Sequence, residues 1–394
     1  MSVEERAASF DHNDHAMRAR CAEAYGEFRT SDRPVFHSDA WGGFWVASRY
    51  DDVSEIGRDV ERFRSAPGVM LPPVGHGRPL LPMESDPPEH LAYRHLLLPR
   101  FAPAAVAGME DEVRALARGL VQQVAQRGEA DLYETLCKPL PMLLITRLLG
   151  IERDQAFWDW TDTLMYGRVD GTSADEITSA ATSLYAFLDA QIADRRRNPG
   201  RDDLISLLLE GDVDGRPYRE DEIRDLCFFL LIAGLENTAF GIRATLRHLA
   251  VEPAHRTALL ADPALVHNVV EQSLRLYTPV TGLCRTVAHD TEVAGSCMRA
   301  GERVLLLFGS ANRDSGVFPD ADEFHLDRRD GRHIAFGVGP HRCVGSNLAR
   351  LEIRVAVEEF LQCVPDFSLA PGPDPGWYAA SALHVEWDVP GGAR

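Results

Sequence analysis

The chain has 394 residues, of which 45% are apolar and 26% charged, and its formal net charge is −19. This composition predicts a globular protein with a large core, and the negative charge argues against nucleic acid or an anionic membrane as a general partner. The seven cysteines are scattered without a CxxC pair, so neither a disulfide framework nor a zinc site is indicated. The polar start lacks an apolar leader, and the longest apolar run, residues 226–235, is too short to span a bilayer. We therefore expect a soluble, reduced, intracellular protein.

The first eighty residues predict a small sheet followed by an irregular loop. Residues 1–33 are polar, with weak helical periodicity. The stretch 43–49 alternates large and small residues, which predicts a strand that pairs with the run near Val35, and residues 51–58 then predict a short helix. Residues 65–82 are rich in proline and glycine but also apolar, and long irregular loops of this kind are often functional lids.

The next segment, DPPEHLAYR, predicts a helix that begins at its two prolines. His90 and Arg94 are four residues apart and therefore share one face of this helix. Two cationic side chains on one face can hold a carboxylate. Spacing alone favours the simpler alternative, a basic face in contact with water.

Helical patterns dominate residues 103–250, with segments at 104–127, 139–149, 153–166, 173–197 and 202–210. No repeat and no low-complexity linker divides the chain, which favours one domain over residues 1–394. The longest predicted helix, 220–251, is apolar on all sides and ends before Pro253. Ala233 and Gly234 leave minimal side chain at its centre, and Glu236 places a carboxylate within or beside the core. A buried Glu236 would have a raised pKa and could relay protons; the alternative is a helix crossing at small residues with Glu236 facing solvent.

The C-terminal third contains the most distinctive stretch, FGVGPHRCVG at residues 336–345. A helix is predicted over 264–277, short strands near 287, 292–293 and 304–307, a polar loop over 312–328 and a terminal sheet over 382–389. Cys343 lies just before an amphipathic helical pattern, where free N–H groups and the helix dipole favour a thiolate, and Phe336 can shield the sulfur. Such a thiolate suits a soft metal such as haem iron. The alternative is a buried structural thiol, which free cysteines usually are.

This stretch resembles the haem-thiolate loop of the cytochrome P-450 family at six positions in order: Phe336, Gly337, Gly339, His341, Cys343 and Gly345. The resemblance extends from about residue 35 to the C-terminus, with five motif blocks in the family's order. It implies the mainly α, triangular fold of the bacterial-type soluble members, with small β-sheets. It also implies haem b with the Cys343 thiolate as the axial iron ligand, and electrons from NAD(P)H through a reductase and a ferredoxin.

The same resemblance assigns the other cofactor-binding residues. His90, Arg94, Arg285 and His341 match positions that bind the haem propionates, and Phe336 and Gly345 belong to the thiolate loop. Ala233 and Gly234 match the helix that crosses the distal face of the haem.

Two motifs depart from the family pattern. Asn237 stands where the family has a catalytic threonine, and Thr238 follows one residue later, about 100° around the helix, so it replaces that threonine only if the helix is bulged. We predict catalytic roles for Glu236, Asn237 and Thr238, with Asn237 anchoring dioxygen or a water and protons passing through Glu236 and waters or through a substrate hydroxyl. Gln272 replaces the glutamate of the Glu-x-x-Arg motif, and Arg275 is expected to pair with the loop around Arg328.

These assignments predict a monooxygenase that inserts one atom of O₂ into a hydrophobic, terpenoid-like or secondary-metabolite-like molecule. The substrate pocket is expected to draw on 69–74, 160–180, 231–237, 280–283 and 381–383, with the residues Met70, Leu71, Val74, Leu231, Ala233, Val280, Leu283 and Ala382. Two alternatives remain open: atypical oxidation such as coupling, epoxidation or substrate-assisted chemistry, favoured by Asn237, and a non-catalytic haem-binding sensor. We expect a cytoplasmic monomer without a fused reductase. Its ferredoxin would dock on four arginines near the thiolate: Arg94, Arg100, Arg342 and Arg350.

Overall fold

The computed structural model describes residues 2–14, 17, 21–72, 78–152, 154–166, 171–213, 215–329, 331–372 and 382–389. The α-helices are α1 (Val3–Ala8), α2 (Cys21–Thr30), α3 (Tyr50–Arg58), α4 (Glu89–Leu97), α5 (Pro103–Ala107), α6 (Glu110–Gln122), α7 (Pro139–Leu148), α8 (Gln155–Tyr166), α9 (Ala174–Arg197), α10 (Leu204–Leu209), α11 (Glu220–Val251), α12 (Pro253–Ala261), α13 (Val266–Tyr277), α14 (Phe308–Ala311) and α15 (Ser346–Cys363). The strands are β1 (Val35–Ser38), β2 (Phe44–Ala47), β3 (Phe63–Arg64), β4 (Glu129–Asp131), β5 (Asp212–Val213), β6 (Arg216–Pro217), β7 (Leu283–Val287), β8 (Thr291–Val293), β9 (Ser296–Met298), β10 (Arg303–Leu306), β11 (Ser368–Leu369) and β12 (His384–Glu386).

Local sequence signals explain several helix boundaries. Helix α9 begins with a capping box, in which the Ser173 hydroxyl accepts from the Glu176 N–H and the Glu176 carboxylate accepts from the Ser173 N–H. The segment 104–127, predicted as one helix, is two helices, because the chain turns at Gly108 between α5 and α6. Glycine is a poor helix former, so an interruption costs least there.

Helix α11 is the central element of the helical part of the fold. It packs against α7, α13 and α15, and its buried side chains form much of the main hydrophobic core. A Cβ atom at Gly241 would lie 2.6 Å from Cδ1 of Ile353, so glycine lets α11 and α15 approach closely at this point. Among the described residues, α11 alone is long and apolar enough to cross a membrane, but 61% of its most apolar window is buried inside the fold, as expected for a core helix.

The β part of the fold is a five-stranded sheet in the order β1-β2-β10-β7-β3. Strands β2 and β10 are parallel, and the other neighbours are antiparallel. The predicted pairing of the strand at 43–49 with the run near Val35 is confirmed, because Val35 of β1 lies opposite Ala47 of β2. This sheet carries a smaller apolar cluster on each face, one that includes side chains of α3 and one that includes side chains of α2.

The terminal sheet predicted over 382–389 is also confirmed, as β12 pairs with β11. Its third strand is β4, in which Ala130 lies opposite Val385. Strand β4 has only three residues and no apolar alternation, so its sequence carries no strand signal.

Candidate active site

The loop that carries Cys343 is fixed by two glycines in the left-handed region. Gly337 has φ +72° and Gly339 has φ +74°, a conformation that other residues adopt only at an energetic cost. A side chain on Gly339 would overlap the carbonyl oxygen of Gly57 in α3, so the loop rests directly on that helix. The Cys343 N–H donates to the Phe336 carbonyl at 2.8 Å, which closes the loop. The loop therefore presents Cys343 from a rigid base.

Cys343 lies three residues before the first residue of α15, as predicted, with Gly345 as the N-terminal cap residue. Cys343 is exposed, but the protein atoms packed around its sulfur desolvate the thiol and raise its pKa. The Gly345 N–H and the guanidinium groups of Arg342 and Arg94 oppose this rise without cancelling it. The Gly345 N–H therefore acts in the predicted direction, toward the thiolate, but desolvation outweighs it in the haem-free protein. A bound metal cation would supply the missing positive charge and displace the proton.

Four cationic or protonatable side chains gather beside Cys343. His90 and His341 stack with ring centroids 3.8 Å apart, and Arg94 of α4 interacts electrostatically with the Cys343 sulfur. Arg285 of β7 is only 4% exposed and donates to the carbonyl oxygen of Cys284 at 2.8 Å. The structure therefore brings all four predicted propionate-binding residues to one site.

No acidic side chain of the described residues forms an ion pair with any of these four groups. The Nδ1 atoms of His90 and His341 are buried and have no hydrogen-bond partner within the described part of the chain. Burial, followed by repulsion from Arg94 and Arg285, lowers the pKa of His90 to about 4. Burial, followed by Arg285, lowers the pKa of His341 to about 2. A buried guanidinium without an ion-pair partner among the described residues, and two buried imidazole nitrogens without hydrogen-bond partners, fit an anionic ligand, and the two carboxylates of haem match this requirement.

The described part of α11 continues as an α-helix through residues 233–238, without the bulge that would bring Thr238 into register. Glu236 and Asn237 are exposed, whereas Thr238 is 5% exposed and lies in the core. Glu236 is thus not the buried carboxylate that the apolar sequence suggested. Ala233 and Gly234 are half-buried, and a Cβ atom at Gly234 would lie 3.7 Å from the Ile145 side chain of α7.

The predicted substrate-pocket residues fall into three groups. Leu231 is fully buried in the main core, and Leu71 is 8% exposed in the aromatic cluster around Phe10, so both are packing residues in this structure. Five others are half-buried: Met70, Ala233, Val280, Leu283 and Ala382. Val74 and Ser381 lie outside the described residues. Within the predicted segment 160–180, a groove of about 380 Å³ between α8 and α9 is lined by Trp160, Thr163, Thr172, Glu176, Ser179, Ala180 and Ser183.

The Glu-x-x-Arg region keeps the expected contact between Arg275 and the loop around Arg328. Arg275 donates to the Gln272 amide oxygen at 2.9 and 3.2 Å. It also donates to the backbone carbonyls of Asn312, Ala321 and Glu323 in that loop, and Arg328 donates to the carbonyl of Pro319. Glu271 stands one residue too early for the motif and was given no role from the sequence, but it binds both His333 and Arg350. The sequence signal for this contact was the glutamate at 271 in place of 272, because a shift of one residue turns the side chain about 100° around the helix.

Comparisons with known proteins agree with this geometry. The family profile described as Cytochrome P450 matches residues 155–374. The steroid C26-monooxygenase of Mycolicibacterium smegmatis is 35% identical over 354 residues, which is 88% of this chain and 86% of that protein. The mycinamicin IV hydroxylase/epoxidase of Micromonospora griseorubida is 34% identical over 385 residues, 93% of each chain.

Solved structures give the same result for the fold. The structure of a mutant of P450 EryK in complex with erythromycin B superimposes with a TM-score of 0.85 and 31% identity, covering 96% of this chain and 99% of that chain. The mainly α fold with small sheets is therefore confirmed, and so is haem b as the cofactor, with NAD(P)H used indirectly. The named relatives are oxidising enzymes, which favours catalysis over a haem sensor. The chain belongs to the cytochrome P450 family and is a haem-dependent monooxygenase.

Proposed function

We propose that this protein inserts one atom of O₂ into a hydrophobic small molecule of the terpenoid or secondary-metabolite type. The observation that supports this most strongly is the cluster beside Cys343, in which Arg285 is buried and Nδ1 of His90 and of His341 lack hydrogen-bond partners among the described residues. The half-buried apolar side chains of Met70, Val280 and Leu283 support a hydrophobic substrate. Relatives named for steroid and mycinamicin oxidation point to the same class of molecule.

In this proposal each residue of the site has a separate task. The Cys343 sulfur would hold the iron, and His90, Arg94, Arg285 and His341 would hold the two carboxylates of haem. Phe336 and Gly345 shape the thiolate loop, and Ala233 and Gly234 would leave room for the haem beside α11. When bound, haem supplies the oxygen-activating chemistry, and the thiolate increases the electron density that favours O–O cleavage.

Proton handling is assigned to Glu236 and Asn237. Both are exposed on α11, and the carboxylate and the amide can order water and hydrogen-bond to the dioxygen substrate. Thr238 was predicted as a third catalytic residue, but its burial in the core supports a packing role instead. The proton path then runs from solvent through waters to Glu236, with Asn237 orienting the last water.

A second candidate function is oxidation of an atypical kind, by coupling, epoxidation or substrate assistance. The observation that favours it is Asn237, because its amide lacks the hydroxyl group through which a threonine can pass a proton. A hydroxyl group on the substrate would then supply the proton. The name of the Micromonospora relative, a hydroxylase and epoxidase, is consistent with more than one outcome on this fold.

The proposed electron donors are a ferredoxin and its reductase, which use NAD(P)H. Of the four arginines predicted as the docking patch, Arg100 pairs with Asp202 and Arg350 with Glu271. Because Arg94 is assigned to a haem carboxylate, Arg342 is the one of the four that remains available to an acidic partner. We also propose a cytoplasmic monomer in which residues 1–394 form one domain.

The proposed roles of Asn237 and Thr238 in proton delivery are tested by comparing Asn237→Ala with Thr238→Val. Each variant is reconstituted with ferredoxin and reductase, and peroxide release is measured per NAD(P)H consumed with a substrate found by spectral binding screening. We expect Asn237→Ala to increase peroxide release severalfold and Thr238→Val to leave it unchanged. Increased leakage in Thr238→Val alone would assign the oxygen network to Thr238 and contradict the proposal.

A further inference from the structure

Glu271 of α13 forms ion pairs with two residues that flank the thiolate loop, His333 and Arg350. Its carboxylate accepts from Arg350 of α15, from Nε at 2.6 Å and from Nη2 at 3.0 Å, and from Nε2 of His333 at 2.9 Å. Burial opposes ionisation, but hydrogen bonds from His333 and Arg350 lower the pKa of Glu271 to about 2. The carboxylate is therefore charged at neutral pH, and it joins α13 to both sides of the Cys343 loop.

Arg350 connects this carboxylate to the thiolate loop. Its guanidinium carbon lies 4.5 Å from the centroid of the Phe336 ring, and Nη1 donates to the Ser346 carbonyl at 3.3 Å. Phe336 in turn accepts the backbone hydrogen bond of Cys343. The positive charge of Arg350 also acts directly on the Cys343 sulfur, in the direction that stabilises a thiolate. Arg350 thus affects the sulfur both through its charge and by packing on the loop.

We propose that Glu271 is a positioning residue that tunes the electrostatic environment of the Cys343 sulfur by partly neutralising the charge of Arg350, which packs on the Phe336 ring. The inference rests on the proposed function, because it concerns the sulfur as an iron ligand. Its basis is the position of the carboxylate: Glu271 binds Arg350 and His333 beside the thiolate loop, whereas the Gln272 amide oxygen accepts from Arg275. His333 is 2% exposed in its side chain and fixes the carboxylate from the other side.

The sign of the charge separates this role from simple structural support. Reduction of the ferric to the ferrous haem adds one negative charge, so nearby positive charge favours it. Glu271→Gln removes the carboxylate that partly neutralises Arg350 and should raise the midpoint potential. Arg350→Gln removes the cation and should lower it, and the double variant should return close to the wild-type value. Loss of mere structural support would move both single variants in the same direction.

A matched ion pair lies one turn further along α15. Arg354 of α15 donates to Glu110 of α6 at 2.6 Å, so Glu110→Gln and Arg354→Gln remove the same kinds of charge at a greater distance from the sulfur. Arg350→Lys keeps the charge but not the two-pronged contact. It should stay closer to the wild-type potential than Arg350→Gln, and it provides a test if Glu271→Gln fails to load haem.

The experiment is spectroelectrochemical titration of the haem-loaded protein and these variants, with the red-shifted ferrous–CO band as the check on thiolate ligation. We expect Glu271→Gln and Arg350→Gln to change the reduction equilibrium at least threefold in opposite directions, which for one electron is about 28 mV. Shifts of the same sign, or shifts no larger than those of the Glu110 and Arg354 variants, would overturn the inference. A wild-type protein without the band would instead refute the proposed function and this inference with it, so the two failures are distinguishable.

Discussion

Arg285 should destabilise the haem-free protein and stabilise the haem-bound one. The guanidinium is 4% exposed, and burial lowers its pKa to about 10. The decrease exceeds two pKa units, and each unit corresponds to about 1.4 kcal/mol, so confining this charge costs the haem-free fold about 3 kcal/mol. A haem carboxylate beside Arg285 would offset that cost.

The perturbation is Arg285→Met, which keeps most of the length and removes the charge. We expect the haem-free variant to be as stable as the wild type or up to about 3 kcal/mol more stable. The haem-bound variant should hold haem about 100-fold more weakly, because 1.4 kcal/mol corresponds to about a factor of ten. Urea unfolding of the haem-free proteins and the rate of haem transfer to excess apomyoglobin measure the two quantities.

Arg303→Met is the matched control for this experiment. Arg303 lies on the neighbouring strand β10 and donates to the carbonyl oxygen of Gly68, outside the cationic cluster. It should change haem transfer much less than Arg285→Met. The reasoning is refuted if Arg285→Met destabilises the haem-free protein by more than about 2 kcal/mol while its haem transfer stays at the wild-type rate.

Two further predictions concern the thiolate loop and the pH dependence of stability. Gly339→Ala should reduce haem incorporation and lower the free energy of unfolding by at least about 1–2 kcal/mol, because the new side chain would need a positive φ and would overlap Gly57. Gly331→Ala should be nearly neutral, because a Cβ atom there would lie in open space. Denaturant midpoints and haem content measure the difference between the two variants. Burial, followed by His255, lowers the pKa of His248 to about 3, so the native state binds fewer protons than the unfolded chain once the pH falls below about 6.5. The free energy of unfolding should therefore fall as the pH decreases below about 6.5, with about 1.4 kcal/mol per pH unit from His248. His248→Gln should remove this contribution, so parallel curves of unfolding free energy for the wild type and His248→Gln between pH 7 and pH 5 would contradict the prediction.

The sequence predicted elements with strong local signals accurately. The helix expected over 220–251 has those bounds, because its apolar run ends at Pro253, and the capping residue Ser173 begins α9 where the pattern placed it. Strand β4 was missed because it is held by its partner β12, more than 250 residues away, and not by its own sequence. Local patterns carry no information about such pairings.

The same contrast holds within the site. The positions of His90, Arg94, Arg285 and His341 followed from the family resemblance, and the structure shows why they suit an anion. The raised pKa of Cys343 could not be predicted, because it depends on how much protein surrounds the sulfur. The exposure of Glu236 likewise depends on the rotation of α11 against its neighbours, which its all-apolar sequence does not determine.

The claim that Cys343 provides the iron ligand is tested most directly by the ferrous–CO absorption spectrum. We expect the wild-type protein and Cys363→Ser, which changes an exposed cysteine at the far end of α15, to show the red-shifted band of a thiolate-ligated haem. Cys343→Ser should lose that band while retaining bound haem or losing it altogether. Persistence of the band in Cys343→Ser would contradict the account.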